Sequence, residues 1–457
     1  MTKLAPKPSS DASSGERKVM LALSLAFIGV NAVLFGASVP TASLIEADSL
    51  TYHTMAVQIL ETGSFQESTR QPLYPLLMAG TIALSHTSGL NLLIGLQLIF
   101  LYLTGFAAWR IARDWVPGVA ATAVFGLVVL NPNAIGIAHA PLADTLHALL
   151  FTLAVWALLS WGTSDRNWQA LACGVALGLA TLTRPETKFL VYVLPVAIVL
   201  VALVAGRRGA WRIGVPVGFA ALIVALAVTL PWMLHNQAVG HGLVISGGVK
   251  ASENIRGQYA LIEESHSGMN RHAVIKRLIA EEPTLMSTAG LDDASPMTKR
   301  KFLFRHYIGR IVGTDPGSLA RLYAKAWIAQ FASGGAQMLN RLLDIPISRP
   351  DKIGNLPDPV QALFESLPGQ PLSGIVITVL GIGFAVAGRL LGLVGLVTIC
   401  VRRHWPLFLV IASVLAFKAM IHLFYGNARY RLSAEPLLMI IAVYGWQGLR
   451  AALSSRR

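Results

Sequence analysis

Apolar stretches of about 20 residues, each long enough to cross about 30 Å of hydrocarbon as a helix, recur along this chain and narrow its fold more than any other feature. The 457 residues are 54% hydrophobic and 13% charged, with a mean hydropathy of +0.59. A soluble protein carries nearer 25% charge. The fold class is therefore an all-α polytopic membrane protein. It is read as a bundle of about ten transmembrane helices with juxtamembrane helices and one larger extracytoplasmic region. The net charge of +14 comes from 37 basic and 23 acidic residues. It implies no nucleic-acid partner, because the bases sit in short clusters between apolar segments, as in cytoplasmic loops. Cys173 and Cys400 both fall inside apolar segments and read as small buried hydrophobes. Ala37-Ser38-Val39 is a weak cleavage pattern, so the first apolar segment is kept as an uncleaved span.

In chain order, residues 1–18 read as a disordered cytoplasmic tail ending in Arg17 and Lys18. Residues 19–234 form an N-terminal transmembrane module whose first outer loop is 40–89. Its spans are 19–39, 90–107, 118–130, 143–161, 170–182, 189–205 and 214–234. The short apolar segment 72–85 is read as a surface or re-entrant helix. As a full span it would invert the later loops. Without it, Arg110, Arg113, Arg166, Arg207, Arg208, Arg212, Arg402 and Arg403 share one side with both termini. Residues 235–370 form a large extracytoplasmic region, in which 321–343 reads as an amphipathic helix on the bilayer. Residues 371–457 are the C-terminal transmembrane helices 375–401, 406–424 and 436–449. Arg389 falls midway along one of them. It must face the protein interior or sit at a helix break beside Gly388.

Chemistry-bearing side chains gather at the outer span ends. With Asp48 as a helix start, Asp48, Tyr52, Met55, Ile59 and Leu60 recur at helical spacing, and Gly63 ends the helix. Glu46 precedes it; Arg70 and a Pro-Leu-Tyr-Pro turn containing Tyr74 follow. A second cluster holds His139, Asp144 and His147, and a third Arg184 and Glu186. The fourth holds Lys418, His422, Tyr425, Arg429, Tyr430 and Arg431, with Lys418 and His422 one helical turn apart. These residue types suit displacement at a sugar carbon. A carboxylate takes the proton of an acceptor hydroxyl, while Arg and Lys hold a departing phosphate. Taken singly, each has a plainer reading. Charges at span ends are usually solvated, Tyr52 suits an interface anchor, and His139 and His147 suit core histidines. No Gly-rich nucleotide loop opens a helix in a β-α-β context.

The order of these motifs resembles the GT-C glycosyltransferases, most closely the protein O-mannosyltransferase and aminoarabinose (lipid A) transferase group. The resemblance lies in Asp48-x-x-x-Tyr52-x-x-x-Ala56 with Leu60, Gly63 and the run from Pro72 to Pro75. It continues in Pro141 to Thr145, Thr183-Arg184-Pro185-Glu186, Pro231-Trp232 with Asn236, and His422 with Arg429-Tyr430-Arg431 and Pro436. It implies a GT-C-like bundle that uses a polyprenyl-phosphate-linked sugar donor on the extracytoplasmic side, with inversion. It implies Asp48 as base and Asp144 as a second catalytic acid. Glu46, Tyr52, Arg70, Tyr74, Arg184, Glu186, Lys418, His422, Arg429, Tyr430 and Arg431 would bind substrate. No metal and no cofactor are expected. In the aminoarabinose group a lysine just before the first-loop proline is thought to hold the lipid phosphate. Here that place is Gln71, with Arg70 one residue earlier.

The expected partners are that donor, a lipid, glycan or protein acceptor, and the bilayer. The expected location is a bacterial inner membrane with the site facing the periplasm. Three other readings compete: a flippase or transporter of a lipid-linked sugar, an oligosaccharide ligase of the same fold, and a non-catalytic scaffold. A transporter would favour ionisable groups near the bilayer midplane.

Overall fold

The computed structural model describes residues 14–37, 47–65, 70–85, 89–164, 166–246, 249–345 and 369–455. The described residues are mostly helical, with no strand among them. Residues 1–13 of the expected tail, Glu46, Arg456 and Arg457 lie outside them. Among the described residues, eight helices are long and apolar enough to cross a membrane, or nine when one bent pair counts as a single span. They include α1 (Ser14–Ala37), α4 (Gly89–Arg113), α7 (Asp144–Thr163), α9 (Lys188–Val204) and α10 (Ala210–Ala238). The bent pair is α5 (Gly118–Val129) and α6 (Pro132–Ala138), which meet at 48°. The expected outer loop 131–142 is thus mostly a short buried helix, started by the Asn131 side chain, which accepts from the Asn133 and Ala134 amides. Two apolar helices are shorter: α3 (Leu73–Ser85) and α8 (Trp168–Thr183). Thirteen residues in α3 reach about 20 Å, too short for a span, as expected of 72–85. The sixteen of α8 reach about 24 Å; a count of ten spans requires including it.

Between Ala238 and Leu372 run α11 (Val249–Ser267), α12 (Arg271–Thr288), α13 (Pro296–Val312), α14 (Pro316–Ala332) and α15 (Ala336–Leu342). The last three long helices are α16 (Leu372–Val401), α17 (Trp405–His422) and α18 (Glu435–Ser454). The helix expected over 321–343 is two helices. Gly335 adopts φ +68° and a Cβ on Gly334 would strike the Gly381 backbone, so the chain breaks where only glycine fits.

α16 shows how the bundle packs. Gly374, Gly381, Ala385, Gly388, Gly392 and Gly395 recur at spacings of three, four and seven and are buried. Leu380, Leu390, Leu393, Val397 and Val401 are exposed on the remaining surface. Small residues face the protein and large ones face outward, because lipid leaves no hydrophobic drive between helices and close backbone approach must supply the attraction. A Cβ on Gly395 would collide with the Ile441 carbonyl, and one on Gly445 with the Leu391 carbonyl. Gly445→Leu should destabilise the protein by at least about 1–3 kcal/mol, read by thermal unfolding in detergent. Gly383→Leu, where nothing lies within 4 Å of the added Cβ, should be near neutral.

Arg389 faces the interior of an unbroken α16. It donates to Glu435 at 2.8 Å and to the Phe331 carbonyl at 3.1 Å. Arg431 bonds the same Glu435 and the Gln330 carbonyl. Gln330 and Phe331 lie in the last turn of α14, whose unpaired carbonyls favour cations. Two arginines sharing one carboxylate therefore cap an outer helix on the bundle. A charge within an apolar span is costly unless it is paired.

Candidate active site

The carboxylates and cations of the site sit at helix ends. Asp48 lies in the first turn of α2 (Ala47–Thr62), and Gly63 ends that helix at φ +67° with its amide bonded to the Ile59 carbonyl. Asp144 opens α7, Arg184 follows α8, and Glu186 lies in a 3-10 turn leading into α9. Lys418 and His422 close α17, and Arg429 lies in the 3-10 helix Ala428–Ala434 before α18. α7 and α9 run from this end toward Arg166 and Arg207. The basic loops thus gather at the far end, where Arg207 donates to the Trp161 carbonyl at 2.9 Å.

These groups form one continuous chain of alternating charge. Arg70 bonds Asp48. Arg429 spans two carboxylates, with Nη1 on Asp48 at 2.7 Å and Nε on Asp144 at 2.8 Å. Arg184 bonds Asp144 and reaches Glu186 at 3.4 Å. Lys418 donates to the other Glu186 oxygen at 2.7 Å, and His422 approaches the same carboxylate at 3.5 Å. Four full cations, Arg70, Arg184, Arg429 and Lys418, thus meet three carboxylates. The Asp48 side chain is 34% exposed whereas Asp144 is 2% and Lys418 1%, so Asp48 is the end of the chain that outside molecules reach. Burial alone would push the Asp48 carboxyl up. Arg429 and Arg70 overcome this and hold it well below the usual carboxylate range.

Aromatic rings wall the cluster. Tyr52 lies under the Arg70 guanidinium at 5.1 Å and meets Tyr74 edge-on at 4.9 Å. Tyr430 stacks on His422 at 4.4 Å and lies under Arg184 at 5.5 Å. Burial pushes the Tyr52 phenol up, so it stays protonated.

Some expected site residues lie elsewhere. Arg431 leaves the cluster for Glu435, although only one residue separates it from Arg429. The intervening backbone is 3-10, which places residues two apart about 240° around the axis. Tyr74 is fully buried, and its hydroxyl donates to Gln97 at 2.6 Å, so it backs Tyr52 instead of facing the cavity. His139 pairs with Asn31 at 3.0 Å and His147 with Thr187 at 2.8 Å, as core histidines do. Gln71 donates to the Ile245 carbonyl at 3.3 Å, and its side-chain oxygen accepts no hydrogen bond among the described residues. Glu46 lies outside the described residues.

Three supporting amides were not found from the sequence. Gln97 accepts from Tyr74 and donates to the Ala138 and Ala140 carbonyls at 2.8 and 2.7 Å. It fixes α3 against the turn before Asp144. Asn133 donates to the Ala428 carbonyl at 3.1 Å, and the Asn427 side chain accepts from the Arg429 amide at 2.9 Å. An amide in the middle of an apolar span, as Gln97 is, was the available signal: it is costly there unless it has partners.

Residues 69–235 match the family model described as dolichyl-phosphate-mannose-protein mannosyltransferase. This range holds Arg70, Asp144, Arg184 and Glu186. A curated relative from Pseudomonas paraeruginosa is the undecaprenyl phosphate-alpha-4-amino-4-deoxy-L-arabinose arabinosyl transferase. It is 32% identical over 146 residues, 31% of this chain and 25% of the relative. Among solved structures, the oligosaccharyltransferase of Archaeoglobus fulgidus in its apo form superposes with a TM-score of 0.53 at 15% identity. That superposition covers 96% of this chain and 51% of that one. The archaeal oligosaccharyltransferase of the same organism, in complex with an inhibitory peptide and a dolichol-phosphate, gives 0.50 at 13% identity, covering 97% and 52%. The chain therefore spans about half the length of these structures and a quarter of the curated relative. The expected resemblance to GT-C glycosyltransferases is borne out, in sequence over 69–235 and in the all-helical membrane fold over nearly the whole chain.

Proposed function

We propose that this protein is an integral-membrane glycosyltransferase. It moves one sugar from a polyprenyl-phosphate-linked donor to a hydroxyl of a lipid, glycan or protein acceptor, at the periplasmic face of a bacterial inner membrane, with both termini in the cytoplasm. The transferase names of the relatives support the class. The chain of alternating charge that begins at Arg70 and Asp48 supports the chemistry.

In this reaction the acceptor oxygen attacks the sugar carbon. The bond from that carbon to the phosphate oxygen breaks with its electron pair, and the acceptor proton passes to Asp48. Attack opposite the leaving phosphate inverts the carbon. One negative charge disappears from Asp48 as one appears on the polyprenyl phosphate. Arg70 and Arg429, which neutralise Asp48 at rest, shift part of their bonding to the phosphate as its charge grows. That exchange explains how a carboxylate so tightly paired can serve as a base: its partners are drawn off by the leaving group. Asp144 holds Arg429 from the other side, and Arg184 and Lys418, bridged by Glu186, extend the positive field inward.

A transporter would draw support from a charge deep in a span, but Arg389 is committed to Glu435 and the Phe331 carbonyl of α14. The test is reconstitution in vesicles with a labelled polyprenyl-phosphate sugar pool and candidate acceptors. Acceptor-dependent release of polyprenyl phosphate is the expected result. Movement of intact donor between leaflets without release would replace this reading with the transporter.

A further inference from the structure

The path from His422 to Arg429 is not one the sequence favours. α17 stops at His422, and the Tyr425 amide turns back to the His422 carbonyl at 2.8 Å. Leu423 lies between them at φ 39° and ψ −104°. This is close to the first central position of a type II′ turn, where φ is positive and glycine is the usual residue. A leucine there is strained and must be held by its surroundings.

What holds it comes from the outer region, 164 residues earlier. Gln258 on α11 is 5% exposed. Its Nε2 donates to the His422 carbonyl at 3.1 Å, and its Oε1 accepts from the Phe424 amide at 3.0 Å. One amide thus grips the backbone on both sides of Leu423. Just beyond, Arg271 donates to the Tyr425 hydroxyl at 3.0 Å and lies over its ring at 4.8 Å. That hydroxyl rests against Gly257, where a Cβ would collide with it. Gly426 is pressed against α14, its would-be Cβ 2.7 Å from the Ala326 carbonyl. The chain leaving this turn delivers Arg429 to Asp48 and Asp144, and the residue entering it is His422, beside Glu186.

We infer that Gln258 is a positioning residue for transfer. Its side-chain amide holds the strained turn 422–425 and, through it, sets Arg429 and His422 in the ion chain. The word transfer rests on the proposed function; the hold on the turn does not. The outer helices are thereby coupled to the chemistry through a side chain that touches no substrate.

The test uses the full chain in lipid nanodiscs, with Gln258→Leu, Leu423→Gly and the double variant. Two quantities are measured: hydrogen exchange of the Tyr425 amide, and transfer from the polyprenyl-phosphate sugar pool. Gln258→Leu should raise Tyr425 exchange tenfold or more and lower kcat tenfold or more, with donor KM changed less than threefold. Leu423→Gly alone should leave both near wild type. Added to Gln258→Leu, it should recover most of the Tyr425 protection and of kcat, since glycine adopts the turn unaided. Should Gln258→Leu not fold, Gln258→Glu keeps the acceptor and loses the donor, and should give the same effects in weaker form. Unchanged exchange in both Gln258 variants would overturn the inference, as would a double variant no better than Gln258→Leu. If the wild type transfers nothing, the functional reading fails, and the exchange data still decide whether Gln258 holds the turn.

Discussion

Asp48→Asn is expected to lower sugar transfer at least about a hundredfold, the scale of losing a positioned general base. The substitution keeps shape and removes charge. Arg429 retains Asp144 after it, and the cations that would meet a phosphate all remain, so donor binding and fold should survive. The pH dependence follows from the same contacts. Because Arg429 and Arg70 hold the Asp48 carboxyl well below its ordinary range, it is already ionised throughout the mildly acidic to neutral range. The stability these pairs contribute is fully present above the unfolded carboxyl's range and is lost as pH falls through the depressed folded value. An acid limb of transfer near neutrality should therefore persist unchanged in any Asp48 variant with residual activity. Transfer rates for wild type and Asp48→Asn, with donor binding measured alongside, check this. Unchanged transfer would remove Asp48 from the chemistry.

Glu435→Ala should carry the largest stability loss in the molecule. Glu435 is 1% exposed and is the shared counter-charge of Arg389 and Arg431. Removing one member of a buried ion pair typically costs about 3–5 kcal/mol, because the remaining charge is left uncompensated. Here two charges lose their partner at once. The α14 carbonyls should keep their bonds to the arginines only at the cost of that unbalanced charge. The expected signs are a large fall in the thermal midpoint in detergent and faster proteolysis of α14. A fall no larger than that of a surface variant would show that the arginines have found another anion.

What the sequence made legible, and what it hid, divides by the range of the interaction. The helix from Asp48 to Gly63 was readable because its signals are local: an acid at the first turn, side chains at helical spacing and a glycine at the end. The four clusters were readable as a group because the apolar pattern places them at one end of the bundle. The separate fates of Arg429 and Arg431 were not readable. Two basic residues one apart look equivalent until a 3-10 turn sends them to opposite sides. Arg389 was ambiguous because its partner lies 46 residues away, in a segment read only as a span. Gln258 carried no local signal at all: its purpose is defined by a backbone strain 164 residues downstream.

That 46-residue separation also bears on how the protein is made. Synthesis proceeds from the N-terminus, so Arg389 reaches the translocation machinery before Glu435 exists. A lone arginine within an apolar span is unstable in lipid. α16 is therefore expected to stay beside the insertion channel, or with Arg389 drawn toward water, until α18 emerges. The two helices then settle together, and the glycine stripe closes over a neutralised pair. The hairpin of α17 and α18 is expected to carry Arg429 into place as the pair closes.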